Sequence, residues 1–231
     1  MDWLSKSGKM AENVGLSDLP VVGKSDIRGN EEQFISNKYA KGKLSPNYTS
    51  GSTGEPFMFY QSKEGFDYMY ATLWRGLARY GIRPGDKRVI VKGFGVNHKI
   101  NLVANVKRKL YDILNRCFSI DAHFLAVNES NLYNAIKSII RYKPDYYHGY
   151  ASSIYKIARF IEENNIEISR LTWRVIVTES EKLHDFQREI VERVFSVPVI
   201  ENYGSVEFGM IAQPDIDGVL CINEVHVMVE V

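Results

Sequence analysis

Residues 50–55 hold three hydroxyl side chains and two glycines, in the run Ser50-Gly51-Ser52-Thr53-Gly54-Glu55, with Tyr48 and Thr49 before it and Pro56 after. A packed core has no use for such a run. Glycine lets the backbone take positive φ and approach a ligand closely, while hydroxyls and free amides converge on an anion. The segment therefore reads as a phosphate-gripping loop, against the plainer alternative of a flexible Ser/Gly linker. Strand signals on both sides favour the loop. It is not a Walker loop, because no Gly-Lys-Ser/Thr pair follows the glycines.

The elements that must position this loop alternate in type. A short strand is predicted at 57–60. Phe66, Tyr70, Leu73, Leu77 and Tyr80 then recur at helical spacing, and Gly81 with Pro84-Gly85-Asp86 ends that helix. Strands follow at 88–91, 117–120, 146–148, 171–177 and 197–200. Between them lie helices over 99–113, after Ser130, after Ser152 or Ser153, and after Ser180, each serine being placed to cap. Such alternation predicts parallel βαβ units in a layered α/β domain. Past Glu207 the helices stop, and 210–213, 219–222 and 225–231 read as short strands around an Asp-Gly turn. The domain reading is an irregular leader over 1–46, an α/β nucleotide-binding region over 47–207, and the start of an incomplete β-rich segment over 208–231. Because the sequence stops inside a strand signal, a fragment of a longer protein is expected.

Composition sets further bounds. The 231 residues carry 29 Lys+Arg against 28 Asp+Glu, a net charge of +1, which excludes a global basic surplus for nucleic acid. The basic run Lys107-Arg108-Lys109 reads as a solvated helix face. Cys117 and Cys221 are too few and too separated for a disulfide framework or a Cys-rich metal site. With no long apolar run and no signal-peptide core, a cytoplasmic protein without membrane insertion is expected. No His/Cys/Asp spacing suggests zinc, and His98 and His184 read as helix-surface residues.

Two motifs together carry a family resemblance. Thr49-Ser50-Gly51-Ser52-Thr53-Gly54, followed by Pro56, resembles the phosphate loop of the adenylate-forming superfamily of acyl-CoA synthetases, peptide adenylation domains and luciferases. Asn202-Tyr203-Gly204-Ser205-Val206-Glu207 resembles its Tyr-Gly-x-Thr-Glu segment, in the right order along the chain. Looser matches at Leu19-Pro20, at 24–28, at Gly85-Asp86, at 144–153 and at 178–183 are similar to the phenylacetate–CoA ligase branch. Within that branch they resemble capsular polysaccharide biosynthesis proteins, and the likeness covers 17–231.

The resemblance implies an ATP-dependent ligase that joins a small-molecule carboxylate to AMP, releases pyrophosphate, and passes the acyl group to CoA or an amine. It implies that Ser50, Ser52, Thr53 and Gly54 hold the β- and γ-phosphates. Tyr203 would stack on adenine with Gly204 leaving room for it, Ser205 would stand near the α-phosphate, and Glu207 would ligate Mg2+. The turn containing Glu179, Ser180 and Glu181 would form the other wall of the adenine slot, and Tyr147, His148 and Tyr150 the acyl pocket. The plainer readings are a core aromatic at Tyr203, a surface carboxylate at Glu207 and a hydrogen-bonded core histidine at His148. Three departures stand against full activity. Phe57 replaces the family's lysine after the loop, Val206 replaces its threonine, and its ribose-binding Asp, hinge and catalytic lysine belong beyond residue 231. Binding is thus expected more than turnover, with a further carboxyl-terminal domain or a homodimer as the missing context. The rivals are a non-catalytic nucleotide- or partner-binding remnant in surface polysaccharide assembly, and another phosphate chemistry on the same loop.

Overall fold

The computed structural model describes residues 19–39, 43–49, 57–93, 102–225 and 227–229, with the backbone alone at 102–105. Two compact units divide the chain, Met1–Tyr68 and Met69–Val231.

In the first unit, single helical turns at Lys24–Ile27 and Glu31–Phe34 precede an antiparallel pair, β1 (Leu44–Thr49) and β2 (Phe57–Ser62). Their register runs from Leu44↔Ser62 to Thr49↔Phe57, so the hydroxyl-rich loop joins the two strands. Strand β1 and strand β2 are the two flanking strands expected on either side of the loop. Asn47 Nδ2 donates across the pair to Gln61 Oε1 at 3.0 Å. Lys24 Nζ lies 5.4 Å from the centroid of the Phe57 ring.

Helix α1 (Lys63–Ala78) crosses the boundary between the units. The second unit is built on a five-stranded parallel sheet of order β4-β3-β5-β6-β7: β3 (Arg88–Lys92), β4 (Cys117–Asp121), β5 (Tyr146–Gly149), β6 (Val175–Thr178) and β7 (Val199–Glu201). Helices α2 (Leu102–Leu114), α3 (Ala122–Val127), α4 (Glu129–Tyr142), α5 (Ala151–Glu163) and α6 (Asp185–Phe195) fill the connections. One sheet face contributes Tyr146, Val175, Val177 and Ile200, which pack with Leu77 and Ile82. The other contributes Val89, Val91, Tyr147, Ile176 and Val199 to a larger core with apolar residues of α3 to α6. Alternation along each strand sends neighbours to opposite faces, and both are buried, as parallel sheets require. Each fully buried Ile or Leu contributes about 1.5–3 kcal/mol.

After β7 come β8 (Tyr203–Ser205), β9 (Gly209–Pro214) and β10 (Leu220–Ile222), an antiparallel sheet of order β10-β9-β8. The α/β expectation with antiparallel strands at the carboxyl end is thus the fold observed. Among the described residues no helix is long and apolar enough to cross a membrane.

Several local expectations need correcting. Helix α4 is capped by Asn128, whose Oδ1 accepts from Asn131 N at 2.8 Å, and not by Ser130. Helix α5 already begins at Ala151, so neither Ser152 nor Ser153 is its cap. Helix α6 starts at Asp185, five residues past Ser180, with Gln187 Oε1 accepting from His184 N at 3.0 Å. Strand β6 is shorter than 171–177, because Trp173 is already turned into the core and Arg174 toward Asp86. The 225–231 signal forms no strand among its described residues, where Val225 and Met228 are exposed. Tyr70, assigned to the apolar stripe of α1, is also exposed; Thr72, Gly76 and Leu77 form the buried face. Gly76 sits there because a Cβ would overlap the amide of Gln213 on β9.

Candidate functional site

Strand order fixes where a ligand can enter. From β3 the chain passes through α2 to β4 on one side, while β5 passes through α5 to β6 on the other. In an open parallel sheet the crevice for ligands lies beyond the carboxyl ends of the strands, where the connections diverge. That point falls between β3 and β5. Lys92 ends β3, His148 and Gly149 end β5, Thr178 ends β6 and Glu201 ends β7, with Val91↔Gly149, Gly149↔Thr178 and Thr178↔Glu201 in register.

Three charged or titratable side chains converge there. His148 Nε2 lies 2.6 Å from Glu179 Oε2, and Lys92 Nζ pairs with Glu179 Oε1. Alternation from the register places Ile90, Lys92, His148 and Glu179 on one face of the sheet. His148 is buried at 4% exposure, while 32% of the Lys92 side chain remains exposed. Burial alone would raise the Glu179 carboxyl, but His148 and Lys92 outweigh it and hold the group well below the usual carboxylate range. Burial lowers His148, and Glu179 opposes that change without reversing it. Burial, helped by the nearby Lys92 charge, therefore favours the neutral imidazole.

The turn after β6 separates two carboxylates by a strained residue. Ser180 has φ of 67°, the left-handed region that a serine seldom takes. Glu179 therefore turns toward Lys92 and His148, while Glu181 Oε2 accepts from Ser152 N at 3.0 Å in the first turn of α5. A carboxylate at that helix end satisfies an otherwise unpaired N–H and meets the positive end of the helix dipole.

The segment after β7 lies alongside that turn. Asn202 N donates to Thr178 O at 2.8 Å, and Thr178 Oγ1 donates to Ile200 O at 3.1 Å. The Asn202 side chain is 5% exposed, and neither its Nδ2 nor its Oδ1 has a hydrogen-bond partner among the described residues. Such a group costs about 1–3 kcal/mol unless something else meets it. Tyr203, directly after it, is 59% exposed. A Cβ on Gly204 would overlap the carbonyl of Gly209 in the β8–β9 pair, so the close backbone approach requires glycine there. Ser205 Oγ accepts from Phe208 N at 3.1 Å, tightening the turn that carries Val206 and Glu207, with Glu207 half-buried.

The fold thus brings the turn at Glu179, Ser180 and Glu181 next to Asn202, with Tyr203, Gly204 and Ser205 following in β8 and His148 and Tyr150 at the neighbouring strand end. Tyr147 is different. Its side chain is fully buried on the opposite face against Trp173, and its hydroxyl donates to Tyr150 O at 3.0 Å, which makes it a core residue. Ser50, Gly51, Ser52, Thr53 and Gly54 lie outside the described residues; Thr49 is described, and its buried Oγ1 has no partner among them. Lys92 was missed at the sequence level. Its signal was a lysine at the carboxyl end of an otherwise β-branched strand, where a buried strand would continue apolar.

No protein-family model matches the chain. Protein CapK of Staphylococcus aureus is 31% identical over 220 residues, covering 94% of this chain and 47% of CapK. The chain therefore spans about half the length of the curated relative it matches. A 2-hydroxyisobutyryl-CoA ligase, solved with 2-HIB-AMP and CoA, matches 92% of this chain and 50% of its own at a TM-score of 0.66 and 16% identity. An anthranilate CoA ligase solved with anthranoyl-AMP matches 76% of this chain and 32% of its own at a TM-score of 0.51 and 18% identity. A long-chain-fatty-acid-CoA ligase of Archaeoglobus fulgidus matches 74% and 33% at a TM-score of 0.52 and 14% identity. By fold the chain is similar to these acyl-CoA ligases, and by sequence it is a relative of Protein CapK.

Proposed function

We propose that this chain forms the adenylate-binding half of a ligase that activates a small-molecule carboxylate as its acyl-AMP. One observation carries the reading: the Asn202 side chain, buried and without a hydrogen-bond partner among the described residues, directly precedes the exposed Tyr203 at the carboxyl edge of the sheet. An amide that offers one donor and one acceptor matches the paired donor and acceptor on the exposed edge of adenine. The neighbouring phenol supplies a face on which a base can stack. ATP and AMP are the cofactors that fit this pair.

Glu207 is the candidate Mg2+ ligand. Among the described residues no group of three or more His, Cys, Asp or Glu side chains could hold a metal. A single carboxylate nevertheless suits Mg2+, which keeps most of its waters and takes its other ligands from phosphate oxygens. Bound there, the ion would offset phosphate charge. Residues 50–54 are proposed to grip the phosphates. In the first unit, the Lys24 ammonium over the Phe57 ring supplies a cation next to the position where the resemblance expects a lysine. CoA or an amine is the proposed acceptor, and surface polysaccharide assembly the proposed setting. The protein is proposed to work in the cytoplasm, where ATP and CoA are available. Binding is the property proposed for these 231 residues.

Titration calorimetry of the chain with AMP and with ATP–Mg2+ tests this. Binding is expected to weaken about tenfold in Asn202→Ala, the loss of a hydrogen-bonded pair. Absence of heat with either nucleotide at millimolar concentration would sink the reading.

A further inference from the structure

The cluster of Lys92, Glu179 and His148 does more than join strands. A buried ion pair loses most of its Coulomb energy to desolvation, and an apolar set of similar volume is commonly as stable or more so. Here three polar side chains converge from the ends of β3, β5 and β6, at the point where the sheet's connections diverge and ligands enter. We infer that this cluster reads the acyl part of the ligand, and that the acid it selects carries a hydroxyl group rather than a plain hydrocarbon chain. The inference deepens the adenylate reading and rests on it.

The hydrogen-bond inventory sets the chemistry. Each oxygen of Glu179 is already engaged, Oε1 by Lys92 and Oε2 by His148. The Lys92 ammonium has three N–H donors and gives one to Glu179, and its side chain is still 32% exposed. The cluster therefore presents donors to the crevice, and a ligand oxygen is what meets them. A hydrocarbon chain would desolvate the ammonium and return no bond. A second carboxylate is not selected, because Glu179 stays ionised and cancels the charge of Lys92, with His148 neutral. A neutral hydroxyl accepts from Lys92 without adding a repulsive charge beside Glu179.

Non-hydrolysable acyl sulfamoyl adenosines test this on the chain as it stands. Butanoyl is compared with its 2-, 3- and 4-hydroxy counterparts by titration calorimetry, with AMP as the control. At least one hydroxylated analogue should bind about tenfold tighter than butanoyl, the effect of one charge-assisted hydrogen bond. Lys92→Met should abolish that preference, and Lys92→Arg should keep it. The inference is overturned, with the nucleotide reading intact, if AMP binds but no hydroxylated analogue exceeds butanoyl in the unsubstituted chain. It is overturned equally if Lys92→Met retains the preference. If AMP and every analogue fail to bind, the nucleotide reading falls and takes the inference with it.

Discussion

The two ends of the five-stranded sheet place their charges in different company. At the amino end, Arg174 Nη2 bonds Asp86 Oδ2 at 2.6 Å and lies 3.5 Å from Asp145 Oδ1, while Asp145 Oδ2 accepts from Lys87 N at 2.7 Å. These groups pin the turn before β3 to the segment before β5, and the arrangement is complete without a ligand. Among the described residues Arg88 Nε and Tyr146 Oη lack hydrogen-bond partners there, but Arg88 Nη2 donates to Tyr111 Oη at 3.3 Å and its charge acts on the Tyr146 phenol. At the carboxyl end, the Asn202 amide has no hydrogen-bond partner among the described residues, and the Lys92 side chain stays partly exposed. Stability explains the first end. The second fits the binding site proposed above.

Substitutions at the two ends should separate accordingly. The largest effect is expected for Glu179→Leu, which leaves the Lys92 ammonium and His148 without their shared partner. Breaking a buried pair costs about 3–5 kcal/mol, and the partial exposure of Lys92 brings the expectation down to about 3 kcal/mol. Urea unfolding at pH 7 measures it; a change below 1 kcal/mol would show the cluster to be solvated.

The same cluster sets a pH dependence. Glu179 is held below its ordinary value, so its contribution is present above the unfolded value of about 4.3 and is lost as pH falls through the folded one. His148 is also held below its ordinary value, so below about pH 6.5 the unfolded chain takes up a proton that the native imidazole resists. Both groups make stability fall on acidification, first below about pH 6.5 and again below about 4.3. In Glu179→Leu the second decline should be shallower. A stability maximum below pH 5 in the unsubstituted chain would contradict both assignments.

Asn202→Leu should act in the opposite sense. Removing a buried amide that has no partner should stabilise the free chain by about 1–2 kcal/mol, while AMP affinity falls. Destabilisation by Leu, with AMP binding retained, would mean that the amide serves the fold. The smallest effect is expected at the amino end. Asp86→Ala should cost about 0.5–1 kcal/mol, since its pair with Arg174 is partly exposed, and leave AMP affinity unchanged. Weaker AMP binding in that variant would erase the contrast between the two ends.

Much of this arrangement was legible from residue order. The alternation of strands and helices was set by runs such as Val89–Val91 and by the stripe Leu132, Ala135, Ile136, Ile139, where burial follows periodicity. The 178–181 and 202–207 segments were singled out, and the register between β6 and β7 brings them together. What remained hidden was decided by tertiary contact. The helix starts moved because Asn128 and His184 stand nearer the actual ends than the serines, which position alone does not reveal. Tyr147 and His148 are adjacent, yet pleating sends one to the core and the other to the crevice. The role of Lys92 depends on Glu179, 87 positions further along, and no local pattern links them.

The left-handed turn at Ser180 has a consequence for chain length. It reverses direction within a single residue, so the carboxylates on either side of it face different neighbours. Deleting or inserting one position between Glu179 and Glu181 would not merely loosen the loop; it would end the division by which one acid meets Lys92 and the other the tip of α5. Side-chain identity at 179 and 181 can therefore drift only while the spacing between them is kept, which makes the count of residues here as informative as their chemistry.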